Sequence, residues 1–137
     1  MSKARGFTLL ELLVVVAIIG LLAAFVGPRY VSQIGKSETA AARAQIEALA
    51  RALDAFRLDT GHYPSSAQGL GALRERPTGE AKWNGPYLQK DVPADPWGKP
   101  YVYRTPGASG KQGDFELLSH GRDGAPGGSG ENADIAY

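Results

Sequence analysis

Gly6-Phe7-Thr8-Leu9-Leu10-Glu11-Leu12-Leu13-Val14-Val15-Val16-Ala17-Ile18-Ile19-Gly20-Leu21-Leu22-Ala23-Ala24-Phe25-Val26 is an apolar run of membrane length with one charge in it. As a helix rising about 1.5 Å per residue, Phe7 to Val26 covers about 30 Å, the thickness of a bilayer core. Glu11 is the only ionisable residue between Arg5 and Arg29. A carboxylate at the centre of such a helix costs roughly 2.5–3.5 kcal/mol even on the mildest scales, so it calls for a function and a partner. Lys3 and Arg5 precede the run with no acid among them, a basic flank that is retained in the cytoplasm. The segment that follows, Gly27-Pro28-Arg29-Tyr30, lacks the small-residue site that an ordinary cleavable signal places after its apolar stretch. An ordinary signal anchor accounts for this much.

Beyond the run, Gly27-Pro28 predicts a bend or a local break, because proline removes a helical hydrogen bond and clashes with the preceding turn. Ser37 either caps a restart or simply continues the helix. From Ala40 the pattern is helical, with Ile46, Leu49, Leu53 and Phe56 on one stripe and Arg43, Glu47, Arg51 and Asp54 on other faces. The stripe predicts packing against strands later in the chain. It is too short for the several heptads of a coiled coil. Gly61, with Pro64 close behind, predicts the stop. A single bent helix over 7–60 would be about 80 Å long.

The chain has 137 residues, and what remains after the apolar run suffices for one small globular domain. The formal net charge of +1 gives no basic footprint for nucleic acid. The absence of cysteine excludes a disulfide framework and thiol catalysis and disfavours structural zinc, without fixing the redox compartment. Glycine and proline concentrate after residue 60, which predicts a loop-rich half. Residues 62–73 read as a turn and a short serine-capped helix. Residues 100–104 and 114–118 alternate as strands, joined by a glycine-rich hairpin loop at 106–113. The fold class is α+β: a long N-terminal helix, transmembrane in its first half and amphipathic in its second, packed on a small antiparallel sheet with long loops. The segments are 1–6, 7–60 and 61–137. Tyr63, Trp83, Tyr87, Trp97, Tyr101 and Tyr103 read as core side chains of a loop-rich domain in preference to a binding groove.

Arg5-Gly6-Phe7-Thr8-Leu9-Leu10-Glu11 resembles the processing signal of the type IV pilin superfamily. The resemblance implies that residues 1–6 are a cytoplasmic leader. A prepilin peptidase would cut between Gly6 and Phe7, and the new amine of Phe7 would be methylated. Glu11 then lies one helical turn from that amine on the same face. The amine of an axially shifted neighbour would pair with Glu11. The alternatives are a bond to the chain's own amine, or snorkelling to the interface.

Farther along, Gly61-His62-Tyr63-Pro64, Gln68-Gly69-Leu70, Gly85-Pro86-Tyr87-Leu88 and Asp95-Pro96-Trp97-Gly98 with Pro100-Tyr101 resemble the major pseudopilins of type II secretion systems, over essentially the whole chain. Type IV major pilins usually carry a C-terminal disulfide loop, which a chain without cysteine cannot form. The resemblance implies a single-pass inner-membrane subunit with its head in the periplasm. It would polymerise with itself and with minor pseudopilins on an inner-membrane assembly platform, driving exoproteins through the outer membrane.

The last candidate is Ser119-His120-Gly121-Arg122-Asp123-Gly124-Ala125-Pro126-Gly127-Gly128-Ser129-Gly130-Glu131-Asn132-Ala133-Asp134-Ile135. Spaced acids among glycines suit a hard, oxygen-loving cation, yet the spacing is not that of an EF-hand, and on the residues alone a solvated, flexible tail is the better reading. The family resemblance implies calcium in this loop. Asp123 is the foremost ligand; Glu131, Asn132 and Asp134 compete for the other places, and His120 offers at most its main-chain carbonyl. Nothing in the sequence marks an enzyme. His62 and His120 are isolated, and there is no nucleophile elbow or phosphate loop. A type IV pilin for adhesion or DNA uptake and a signal-anchored periplasmic binding protein are the competing functions.

Overall fold

The computed structural model describes residues 5–110 and 114–137. Lys3 in the basic leader and the last residues of the 106–113 loop lie outside them. The chain divides into two compact units, Met1–Gly35 and Lys36–Tyr137, and one helix, α1 (Leu9–Thr60), contributes to both.

In the first unit α1 begins with a capping box. Thr8 stands just before the first helical residue; its Oγ1 accepts the Glu11 N–H at 3.2 Å, and its own N–H donates to Glu11 Oε2 at 3.2 Å. Two of the backbone donors that every helix start leaves unpaired are thereby satisfied. From there to Ile34 the large apolar side chains are exposed all round the helix, as they must be if lipid is their solvent. Helical structure runs through Pro28 without interruption, so Gly27-Pro28 does not break it. Pro28 costs the helix one backbone hydrogen bond without ending it.

The second unit is built on the other half of α1. Ile46, Leu49, Leu53 and Phe56 are each at most 1% exposed, the stripe that the spacing predicts. They share a core with Leu70, Ala72 and Leu73 from a short 3-10 turn (Leu70–Leu73), and with Tyr101, Leu117 and Ile135. The helix ends at Thr60, and Gly61 takes the left-handed conformation (φ 88°) that lets the chain leave. The short helix is not serine-capped: Gly69 precedes it, with no side-chain cap. Ser65 instead exchanges hydrogen bonds with Gln68 one turn earlier, its N–H to Gln68 Oε1 at 2.8 Å and its Oγ accepting the Gln68 N–H at 3.1 Å. The reciprocal pair closes a turn, and no helix follows from it.

Three strands, β1 (Val102–Arg104), β2 (Glu116–Ser119) and β3 (Ile135–Ala136), form an antiparallel sheet in the order β1-β2-β3. Tyr103 faces Leu117 across β1 and β2, and Ser119 faces Ile135 across β2 and β3. The aromatic side chains fasten the loops to the helix. Trp97 Nε1 donates to Glu38 at 3.0 Å, Tyr63 to Asp54 at 2.8 Å, Tyr87 to Asp59 at 2.7 Å, and Tyr101 to Gln45. Each ring covers core while its polar tip reaches a helix side chain.

Candidate functional site

Two places carry the residues that the sequence singles out. The first is the helix start. Gly6 and Phe7 precede α1 outside any helix or strand and are exposed, Phe7 81% exposed. A β-carbon at Gly6 would meet nothing within 4 Å, so the fold of the chain gives no reason for glycine there. Glu11 sits with its carboxylate on Thr8, whose hydroxyl also reaches Oε2 at 3.3 Å. The signal for this partner was in the sequence as Thr-x-x-Glu before an apolar run, the spacing of a capping box.

The second place is the loop between β2 and β3. Gly121, Gly124, Gly127, Gly128 and Gly130 all have positive φ, from 60° to 86°, and curl the chain tightly. A β-carbon at Gly121 would lie within 2.9 Å of the carbonyls of Ala133 and Glu131, so the two arms of the loop close on each other there. Arg122 N–H donates to the Glu131 carbonyl at 3.0 Å, and the Arg122 guanidinium meets the Glu131 carboxylate at 2.7 Å. Asp123 Oδ1 accepts the Ala125 N–H at 3.1 Å. Asp134 takes the Gly127 N–H at 3.0 Å and faces His120 Nδ1 at 3.1 Å. The Gly127 N–H first, and His120 after it, hold the Asp134 carboxyl below its ordinary range. His120 therefore brings its ring to the loop, where the sequence reading allowed it only a carbonyl. Asn132 is the last residue of a 3-10 turn (Gly130–Asn132), its N–H on the Ser129 carbonyl at 3.1 Å.

The donors fit a hard cation in kind, carboxylates, an amide and main-chain carbonyls, in a loop where β-carbons at Gly121 and Gly128 would run into backbone. Their side chains are engaged one by one with separate partners. Among the described residues no three acidic or histidine side chains form a group that would hold a metal.

Beneath the loop lies a buried polar knot absent from the sequence reading. Asp95, 4% exposed, accepts the Ser119 hydroxyl at 2.7 Å, the Lys99 N–H at 2.8 Å and the Trp97 N–H at 3.1 Å. Ser119 is fully buried, and its Oγ accepts the Gly121 N–H at 3.2 Å. The carboxylate thus ties the 95–99 turn to the root of the glycine loop. An aspartate beside a proline reads as a turn residue, and nothing local tells that the turn is folded inward.

A capped apolar helix of membrane length and a small head that carries a glycine loop, in one chain, are the parts of a membrane-anchored filament subunit. The comparisons with known proteins agree in both parts of the chain. Residues 29–137 match the family model "Type II secretion system (T2SS), protein G", and residues 1–27 match "Prokaryotic N-terminal methylation motif". The type II secretion system core protein G of Pseudomonas aeruginosa is 47% identical over 97% of this chain and 94% of its own length. That of Vibrio cholerae is 43% identical over 98% and 92%. The crystal structure of the major pseudopilin from the type 2 secretion system of enterohaemorrhagic Escherichia coli superposes with a TM-score of 0.58 at 33% identity, covering 74% of this chain and 86% of that one. The chain belongs to the type II secretion system protein G family.

Proposed function

We infer that this protein is the major structural subunit of a periplasmic pseudopilus, polymerising through its N-terminal helix into the filament that moves exoproteins out through the outer membrane. The observation that carries this reading is the union, in one chain, of a methylation-motif helix exposed on every face and a protein G head. The role is structural. Both histidines are occupied within the head, His62 between Glu80 at 3.1 Å and the Tyr63 carbonyl at 2.9 Å, and His120 on Asp134. The anchor is in the inner membrane and the head in the periplasm. Prepilin peptidase, minor pseudopilins and the inner-membrane assembly platform are its partners.

Prepilin peptidase cuts between Gly6 and Phe7, and Phe7 is methylated. The exposed chain at that bond, outside any helix or strand, supports ready access. Glu11 then takes the amine of a neighbour's Phe7. Both bonds from Thr8 fall on Oε2, which leaves the other oxygen for a second donor. Glu11→Gln tests this more sharply than Glu11→Leu. Glutamine also serves in a capping box, so the helix start survives while the charge is lost. Both variants should insert and fold, and both should yield few sheared filaments. Wild-type filament yield from Glu11→Gln would refute the pairing.

The glycine loop takes calcium through Asp123, Asp134 and Glu131, with Asn132 and the His120 carbonyl as further oxygens. The bound ion supplies positive charge that draws the two arms of the loop together. Asp134 enters as a carboxylate, since the Gly127 N–H already favours its ionised form. A ligand that binds only the folded head stabilises it by about 2.7 kcal/mol at a hundredfold excess over its dissociation constant. The full chain in detergent should melt higher in millimolar calcium than in chelator, and Asp123→Ala should remove most of the difference. Equal melting temperatures in wild type would refute the site.

A further inference from the structure

We propose that Lys99 is a tethered cation of the glycine loop: its ammonium holds the Arg122 carbonyl and keeps the 120–134 segment closed when calcium is scarce. The second half of this proposal rests on the calcium reading; the first half stands on geometry alone.

The Lys99 backbone is fixed at its root. Its N–H donates to the buried Asp95 carboxylate at 2.8 Å, and its carbonyl accepts the Asp95 N–H at 2.7 Å. The same carboxylate holds Ser119, from which the loop departs. The base of the lysine and the base of the loop are thus held by one carboxylate. From that base the side chain crosses to the loop, and Nζ donates to the Arg122 carbonyl at 2.9 Å.

The loop is shaped to receive it. A β-carbon at Gly124 would lie 2.7 Å from Lys99 Cδ and 2.8 Å from Cε, so the lysine stem runs through the space that any other residue's side chain would need. Gly124 also has a φ of 66°, which glycine adopts without strain. The charges point the same way. Asp123, Glu131 and Asp134 crowd the loop, and Arg122 is committed to Glu131 at 2.7 Å. Among the described residues Lys99 makes no ion pair with a carboxylate, and its charge goes to a main-chain oxygen. A main-chain carbonyl in a glycine-rich turn is an oxygen of the class that calcium takes. Lysine and ion thus do the same work on the same loop.

The test is amide hydrogen exchange on the full chain in detergent, wild type and Lys99→Met, each in chelator and in millimolar calcium chloride. Methionine keeps an unbranched stem beside Gly124 and removes the charge. The bond from the ammonium is partly open to solvent, so protection of amides 121–134 in chelator should fall by about two- to fivefold in Lys99→Met. Amides of the 49–56 core helix should keep their protection, showing that the head remains folded. Calcium should restore the loop in the variant. Equal loop protection of the two proteins in chelator overturns the proposal. A loss in chelator that calcium fails to reverse overturns the interchange of lysine and ion, and leaves the strut standing. Absence of any calcium effect on either protein marks failure of the calcium reading itself.

Discussion

The two halves of α1 share one backbone geometry and live in different solvents. In the first half Leu9, Leu13, Val16 and Ile19 are at least 60% exposed, and nothing in the chain covers them. In the second half Ile46, Leu49, Leu53 and Phe56 are covered completely or nearly so. The first half is apolar on all faces; the second confines its apolar residues to one stripe. A helix that is apolar all round needs its covering from outside, from lipid or from other subunits. A striped helix finds it within its own chain. The difference between anchor and scaffold is therefore one of pattern, at equal helicity.

If that division is right, a change at the anchor should alter the fate of the protein while leaving the head's stability alone. The largest effect is expected from Gly6→Val. Processing should go from complete to absent, with an unchanged melting temperature, since nothing lies within 4 Å of a β-carbon at that position. Mass analysis of the N-terminus of membrane-extracted protein checks it. An intact Met1 terminus in the wild type would remove the pilin-type processing altogether.

Next comes a matched pair. Phe56→Ala should destabilise the head by about 3–5 kcal/mol, the usual result for a large buried aromatic. Leu13→Ala should leave it within about 0.5 kcal/mol, as surface changes do. Denaturant unfolding of the full chain in detergent measures both. A Leu13→Ala cost approaching that of Phe56→Ala would mean that the anchor is part of the folding unit after all.

The division was legible because hydrophobic periodicity is a local signal. The run to Val26 and the stripe from Ile46 to Phe56 could be read from spacing alone, as could the stop at Gly61. What was lost depended on contacts distant in sequence. Ile135 and Ala136 are too few to register as a strand, and they become one only because Leu118 and Ser119 lie alongside. Asp95 and Ser119 are polar residues in loop-like surroundings, and their burial is decided by a contact across 24 positions. The Thr8–Glu11 box was local and readable. The cost of a charge in an apolar run points instead to a partner in another chain, and the two readings share the one carboxylate. Lys99 looked like any solvated lysine after a Trp-Gly turn.

A third change probes the head alone. Asp95→Ala leaves the Ser119 hydroxyl and two backbone N–H groups without their acceptor. It should cost about 1.5–3 kcal/mol, read from the same unfolding curves. Because the knot roots the glycine loop, exchange protection of the loop should fall as well. Protection unchanged in a destabilised head would show that knot and loop are independent.

The smallest effect concerns alkali. Tyr101 and Tyr103 are both pushed up to about 12, chiefly by burial, with the Asp95 charge adding to it at Tyr101 and a hydrogen bond with Thr105 opposing it at Tyr103. In the unfolded chain both ionise near the ordinary 10.0. Between these values the unfolded chain sheds protons that the folded head retains. The stability is complete below pH 10 and declines as pH rises toward 12. Urea midpoints at pH 8, 10 and 11.5 should show the decline, and Tyr103→Phe should make it shallower. A flat profile would mean that these tyrosines reach solvent.

β3 is very short, yet its pairing of Ser119 with Ile135 brings the two ends of the glycine loop side by side. A loop whose ends are stapled can change its length cheaply, because closure entropy grows only with the logarithm of the number of residues, about 0.6 kcal/mol for each doubling. Residues gained or lost between Ser119 and Ile135 alter the reach of the loop and leave the strand register intact. The head carries, at that one place, room for sequence to drift in length while the sheet beneath it keeps its pairing.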